Sequence, residues 1–175
     1  MNADPDDPLE LRFDRVGRSG VDSGTDAQPG QAGGSHTIHR RFRSGNSETR
    51  AALGDLCGRL AAQGLPEDDL GTIELVLAEA LNNITEHAYG PEGGLIEVML
   101  DLTGPEVLCE LRDFGRPMPM GEAPVTELPL ISPPDVLPEG GFGWHIIRCL
   151  VSDLRYERAD GHNRLCMAVA LSDPC

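Results

Sequence analysis

Three short runs of this sequence hold polar residues and glycines at spacings that could serve a bound ligand. In the first, Glu79 and Asn83 stand four residues apart and His87 follows four further on. On an α-helix this spacing projects the side chains from one face, each about a turn beyond the last. Alone the pattern says little, because it also describes an ordinary solvated helix face. The second run is Arg112-Asp113-Phe114-Gly115. Asp113 continues the alternation of Val107, Cys109 and Leu111, which aims its carboxylate at the face that helices should cover. Burying a charge there is costly without a hydrogen-bonding partner. The exocyclic amine of a purine would serve, and Gly115 would let a ligand come close to the backbone. The alternative is an aspartate that turns outward before a glycine turn. The third run, Gly140-Gly141-Phe142-Gly143, directly precedes an amphipathic segment from Trp144 to Val151. Glycines at a helix start leave unpaired N–H groups beside the positive end of the dipole, which suits phosphate, although a plain flexible loop has the same composition. No Gly-Lys-Ser/Thr follows, so this is not a Walker A loop, and its place late in the chain does not suit a Rossmann first turn.

The elements that must position these runs are legible from periodicity. Thr37 to Arg43 reads as a short strand with Ile38 and Phe42 on one side. Its basic cluster of Arg40, Arg41 and Arg43 fits either a charge-protected edge or a dimer or partner contact. Asn46 and Ser47 offer caps to a first helix carrying Leu53, Leu56, Cys57 and Leu60, which ends near Gln63-Gly64. A second helix opens at Pro66 with Glu67, Asp68 and Asp69 in its first turn, where carboxylates complement the dipole. Its apolar stripe runs Leu70, Ile73, Leu77, Ala80, Leu81, Ile84 and Ala88, and Gly90-Pro91 stops it. Two alternating strands follow, Ile96 to Leu102 and Val107 to Leu111, joined through Gly104-Pro105 as a hairpin. The Pro-rich stretch from Arg116 to Glu139 is longer than most loops in compact domains, so it is functional or mobile. Ile146, Ile147, Leu150 and Val151 mark a third helix. Two more strands close the chain, the last alternating Leu165, Met167, Val169 and Leu171. This order predicts an α/β two-layer sandwich with a mainly antiparallel, mixed sheet and helices on one face.

Composition bounds the function. A chain of 175 residues fits one domain plus a tail. Residues 1–34 are rich in Asp, Gly, Pro and Ser with few large apolar side chains, so a disordered acidic tail is expected before a domain spanning 35–175. No apolar run reaches the roughly 18 residues needed to cross a bilayer, and the Asp-rich start lacks the features of a secretory signal, which predicts a cytoplasmic protein. The 5 cysteines are odd in number and include no C-x-x-C pair, so neither a disulfide framework nor a zinc site is suggested. His36, His39, His145 and His162 show no metal-ligand spacing. A formal net charge of -15 argues against direct binding to nucleic acid or to a membrane surface, and for a protein partner with a basic surface.

Taken in order, Glu-Ala-Leu-Asn-Asn-Ile-Thr-Glu-His-Ala-Tyr (79–89), Asp-Phe-Gly (113–115) and Gly-Gly-Phe-Gly-Trp-His-Ile-Ile (140–147) are far more specific than any one of them. Over about residues 36 to 171 the chain resembles the GHKL superfamily, whose Bergerat ATP-binding fold carries N, G1 and G2 boxes in this order. Within it, the match is closest to the RsbW-like anti-sigma serine kinases. The resemblance implies an ATP- and Mg²⁺-dependent serine/threonine protein kinase. Glu79 is then the general base and Asn83 the magnesium ligand. Asp113 recognises adenine with Gly115 beside it, Gly141 and Gly143 wrap the phosphates, and residues 116–139 form the ATP lid. The implied partners are a sigma factor, which the protein sequesters, and a STAS-type anti-anti-sigma factor, which it phosphorylates; homodimerisation is implied as well. His87 falls inside the N box and is expected in a structural or pocket-wall role. Two positions depart from the family pattern. Pro117 stands where many members have a second glycine, and Gly161-His162-Asn163-Arg164 replaces the adenine-contacting Gly-Thr signature, although Asn163 could still hydrogen-bond. Two alternatives therefore stand beside the kinase: a nucleotide-dependent binding module without kinase activity, and a detached histidine-kinase-like catalytic domain.

Overall fold

The computed structural model describes residues 37–119, 121, 123 and 142–172. The segment 1–34, Gly141 and most of the stretch 116–139 lie outside the described residues. The elements are β1 (Thr37–Arg43), α1 (Asn46–Ala62), α2 (Glu67–Asn83) continued by a π-helical turn (Ile84–Ala88), β2 (Leu95–Thr103), β3 (Glu106–Asp113), α3 (Phe142–Leu150), β4 (Asp153–Ala159) and β5 (His162–Ala170). The five strands form one sheet in the order β1-β2-β3-β5-β4. Every pairing among them is antiparallel, so the expected sandwich is present with no parallel neighbours among the described strands. No helix among the described residues is long and apolar enough to cross a membrane.

Strand parity decides which side chains meet the helices. Ile96, Val98 and Leu100 on β2, Val107, Cys109 and Leu111 on β3, and Leu165, Met167 and Val169 on β5 join Leu56 and Leu60 of α1, Ile73, Leu77 and Leu81 of α2, and Ile147 of α3 in one core. Each large apolar side chain fully buried there contributes about 1.5–3 kcal/mol relative to exposure. Val76, which the stripe of α2 omitted, is fully buried as well. The opposite face of the sheet holds a small cluster of Leu108, Cys166 and Ala168. Beside it lies a charged ladder in which Arg164 bonds Glu110 at 2.8 Å and Glu157 at 2.9 Å.

Three local expectations are corrected. Asn46 and Ser47 lie inside the first turn of α1 instead of capping it; Gly45 occupies the cap position without a side-chain bond, and the Ser47 hydroxyl donates to Glu48. The α-helical stripe does not run on to Gly90, because the ladder widens after Asn83 into the π-turn, where the Tyr89 N–H reaches the Ile84 carbonyl five residues back. Leu171 lies just past the end of β5, where its N–H bonds the Pro105 carbonyl at 2.8 Å.

Candidate functional site

The π-turn ends against the tip of β3, and a set of bonds stitches the two together. The Arg116 N–H donates to the Ala88 carbonyl at 2.8 Å. The Tyr89 hydroxyl accepts the Phe114 N–H at 2.8 Å and donates to the Leu95 carbonyl. Gly115 is required by this approach: a Cβ there would lie 2.5 Å from the Ala88 carbonyl oxygen, which is backbone and cannot give way. The space expected for a ligand beside Gly115 is thus taken, on its Cβ side, by the chain itself.

Asp113 sits one step earlier, at the end of β3. It faces the helices and is only 4% exposed. Its Oδ1 accepts the Gly115 N–H and the Asn163 amide, both at 2.8 Å. No partner among the described residues bonds Oδ2, so one oxygen of a buried carboxylate is left for a ligand. Burial pushes the Asp113 carboxyl above its usual range, opposed by these two bonds and by the nearby charges of Arg158 and His162. Asn163 lies directly across the ladder from Asp113. Its Nδ2 donates to Asp113 Oδ1 and to the Arg116 carbonyl, at 2.8 and 2.9 Å. Its Oδ1 accepts from the Tyr156 hydroxyl and from Arg158, at 2.7 and 2.6 Å. With both donors and both lone-pair sites engaged, Asn163 has nothing left for an adenine ring, contrary to the reading that it could bond one directly. The network reaches further, because the Tyr156 hydroxyl also accepts the Met118 N–H at 3.0 Å and Arg158 holds the Gly115 carbonyl at 3.0 Å.

At the other end, α2 and α3 bring Glu79, Asn83 and Gly143 together. A Cβ on Gly143 would fall 2.6 Å from Glu79 Oε2 and 3.5 Å from Asn83 Nδ2, so the missing side chain is what lets the first turn of α3 rest against this pair. The Asn83 Nδ2 position is buried without a hydrogen-bond partner. Which amide atom occupies that position follows from the network and not from the backbone, so a ligand there could equally meet the carbonyl oxygen.

Between these ends lies a cavity of about 630 Å³, within the usual size range of small-molecule sites. Asn83, His87, Asp113, Met118, Trp144 and Asn163 contribute to its wall, and Ala80, Ile84 and Leu165 make part of it apolar. The α2-π-turn segment, the β3 tip and the start of α3 therefore converge on one hollow. Glu79 and Gly143 stand beside Asn83, Gly115 follows Asp113 against Ala88, and His87 forms wall from the π-turn. Gly141 lies outside the described residues.

A purine nucleotide with Mg²⁺ fits this set of donors. The free Asp113 oxygen suits an amine, the apolar wall suits a ring, and the orphaned Asn83 carboxamide lies at the N-terminal end of α3. No group of three or more His, Cys, Asp or Glu side chains gathers as a metal site among the described residues. Mg²⁺ that takes most of its ligands from phosphates and water needs no such group. The residues missed from sequence are Tyr156 and Arg158. Tyr156 pairs with Leu165 and so shares the core-facing parity; a tyrosine on that face must find a partner for its hydroxyl, which was the available signal.

The family model for the histidine kinase-like ATPase domain matches residues 45–169. Two similar curated relatives are serine-protein kinases RsbW, from Bacillus cereus and Bacillus mycoides. Each is 25% identical over 108 residues, covering 61% of this chain and 68% of the relative. A solved structure of the RsbU and RsbW domains of a Mycobacterium tuberculosis protein superposes with a TM-score of 0.55 at 21% identity. That match covers 79% of this chain and 33% of the longer one, and it supports the fold alone.

Proposed function

Because this chain belongs to the histidine kinase-like ATPase domain family, we propose that it is an Mg²⁺- and ATP-dependent serine/threonine protein kinase and anti-sigma factor. It sequesters a sigma factor in the bacterial cytoplasm and phosphorylates a STAS-type anti-anti-sigma antagonist, which releases the sigma factor. The observation that carries the nucleotide part is the convergence of Asn83, Asp113 and the α3 start on one cavity. The similarity to the RsbW serine-protein kinases supports the protein-kinase part.

When bound, Mg²⁺-ATP supplies the phosphoryl group and the cation that neutralises it. The chain's residues position and shield it, which is most of what phosphoryl transfer requires. Asp113 Oδ2 would accept a hydrogen bond from the exocyclic amine of the base, beside Gly115. Asn83 would ligate the cation through its amide oxygen. The backbone N–H groups of Phe142 and Gly143 at the start of α3 would meet the phosphates with the positive helix end behind them, and Gly141 is proposed to join them. Glu79, half-buried next to Asn83 and Gly143, would take the proton of the attacking hydroxyl.

Incubating the full chain with γ-labelled ATP, Mg²⁺ and a panel of STAS proteins tests the proposal. Acid-stable label on a serine or threonine of one of them is expected. Acid-labile label on a histidine phosphotransfer protein would instead support a detached histidine-kinase-like domain. A second reading, a nucleotide-dependent binding module without transfer, is favoured by one observation. The base of the lid segment is tethered through Met118 to Tyr156 and through the Ala123 carbonyl to Arg148. ATP binding without label on any STAS protein would favour that module.

A further inference from the structure

The bonds around Asn163 say more than that it is occupied. A carboxamide can be flipped to offer either an oxygen or an amine, and the neighbours of Asn163 leave it no choice. On one side Tyr156 and Arg158 are both donors, and Arg158 can never act as an acceptor, so Asn163 must turn its oxygen to them. The amine is thereby forced toward Asp113 and the Arg116 carbonyl, which are both acceptors. Asp113 Oδ1 then faces donors only, the Asn163 amine and the Gly115 N–H, an arrangement that suits the ionised carboxylate and leaves Oδ2 as an acceptor toward the cavity.

We infer that Asn163 is a positioning residue that presents Asp113 as a fixed acceptor for a 6-amino purine, and that Tyr156 couples this selectivity to the backbone at Met118. The inference rests on the nucleotide reading of the cavity. Asn163 lines the cavity with its amide atoms already engaged, so it acts through Asp113. Tyr156 joins the two ends of the device, since its single hydroxyl donates to Asn163 and accepts the Met118 N–H. The titratable and charged groups facing Asp113 are Arg158 and His162, which favour its ionised form, and the Tyr89 phenol, which burial and the Asp113 charge hold neutral. A 6-oxo purine such as hypoxanthine would set a carbonyl oxygen against the Oδ2 acceptor and be rejected. The same phosphates and sugar would be bound, so ATP and ITP isolate the base end of the site.

Two variants test this in the full chain by isothermal titration with ATP and ITP in Mg²⁺. Asn163→Asp keeps the shape but sets a second carboxylate against Asp113 Oδ1; two such groups share a proton there, which takes charge from Asp113 and weakens Oδ2 as an acceptor. Tyr156→Phe keeps the ring and deletes the hydroxyl. Wild type is expected to prefer ATP by about 10-fold or more, the scale of a hydrogen bond to a charged group. Asn163→Asp should lower that ratio by about 10-fold through weaker ATP binding with ITP binding little changed, and Tyr156→Phe by a smaller factor. Hydrogen exchange at the Met118 amide should speed up in Tyr156→Phe. A residue with a merely structural role would weaken both nucleotides alike. An unchanged ATP-to-ITP ratio in both variants, or a wild type that binds the two equally, overturns the inference while leaving the cavity a nucleotide site. A wild type that binds neither removes the nucleotide reading and the inference with it.

Discussion

Glu79 and Asn83 share one helical face, yet the proposal gives them separable tasks, and single substitutions can tell them apart. Glu79→Gln keeps the volume beside Gly143 and removes only the basic oxygen. Phosphate transfer to a STAS substrate should fall by about 10²–10⁴-fold with ATP affinity nearly unchanged, as read by parallel transfer and binding assays. Transfer at the wild-type rate would take Glu79 out of the chemistry. Asp113 makes a pH prediction. Its carboxyl is raised by burial, so its folded-state pKa lies above the unfolded value. A group of that kind stabilises the fold fully below the unfolded pKa, and the contribution is lost as pH rises through the folded one. At neutral pH, therefore, the ionised Asp113 costs stability in return for its acceptor. Asp113→Asn should unfold at a higher denaturant midpoint than wild type at pH 7, with the gap closing as pH falls through the carboxylate range. If Asp113 reads the base as proposed, ATP binding uses the ionised form, and wild-type affinity should begin to fall, on acidification, at a higher pH than an exposed aspartate would show.

At the scale of elements, glycines with opposite surroundings give opposite expectations. Gly54 and Gly58 lie on the exposed side of α1 with no atom within 4 Å of a built Cβ, so each change to Ala should stabilise the protein by about 0.5–1 kcal/mol in denaturant unfolding. Gly115→Ala drives a methyl into the Ala88 backbone and should cost about 1–3 kcal/mol, while loosening the stitch between the π-turn and β3. The contrast also marks what a sequence can show. Alternation on β3 put Asp113 on the helix side without any knowledge of its neighbours, and the period of α2 aligned Glu79 with Asn83. The π-turn was not legible, because Ile84 and Ala88 keep an apolar spacing that suits an α-helix, and the widened ladder is a tertiary adjustment to the β3 tip. The saturation of Asn163 was equally hidden. Its partners Tyr156, Arg158 and Arg116 come from a hairpin mate and a distant strand end, and only the registers of β4 and β3 against β5 bring them within reach.

The whole molecule keeps the cavity with Asn83 and Asp113 on the helix side of the sheet and an ionic ladder on the other. Glu110 is 2% exposed and relies on Arg164, with Arg112 alongside. Arg164→Ala would strip Glu110 Oε2 of its partner while Arg112 stays against Oε1, and should cost about 1–3 kcal/mol in unfolding free energy, with little effect on nucleotide selectivity if the protein is still folded. The two faces are thus separable by experiment, and the function proposed rests on one of them. The chain's 1 tryptophan, Trp144, lies in the cavity wall and reports on that face directly. A fluorescence titration of the full chain with ATP, with and without Mg²⁺, in wild type, Asp113→Ala and Asn83→Ala asks whether one nucleotide spans the hollow. The expected result is a single saturable site that Asp113→Ala weakens in both conditions and Asn83→Ala weakens only where Mg²⁺ is present. No saturable change in wild type, or equal affinity in all three proteins, would mean that these residues do not share a nucleotide.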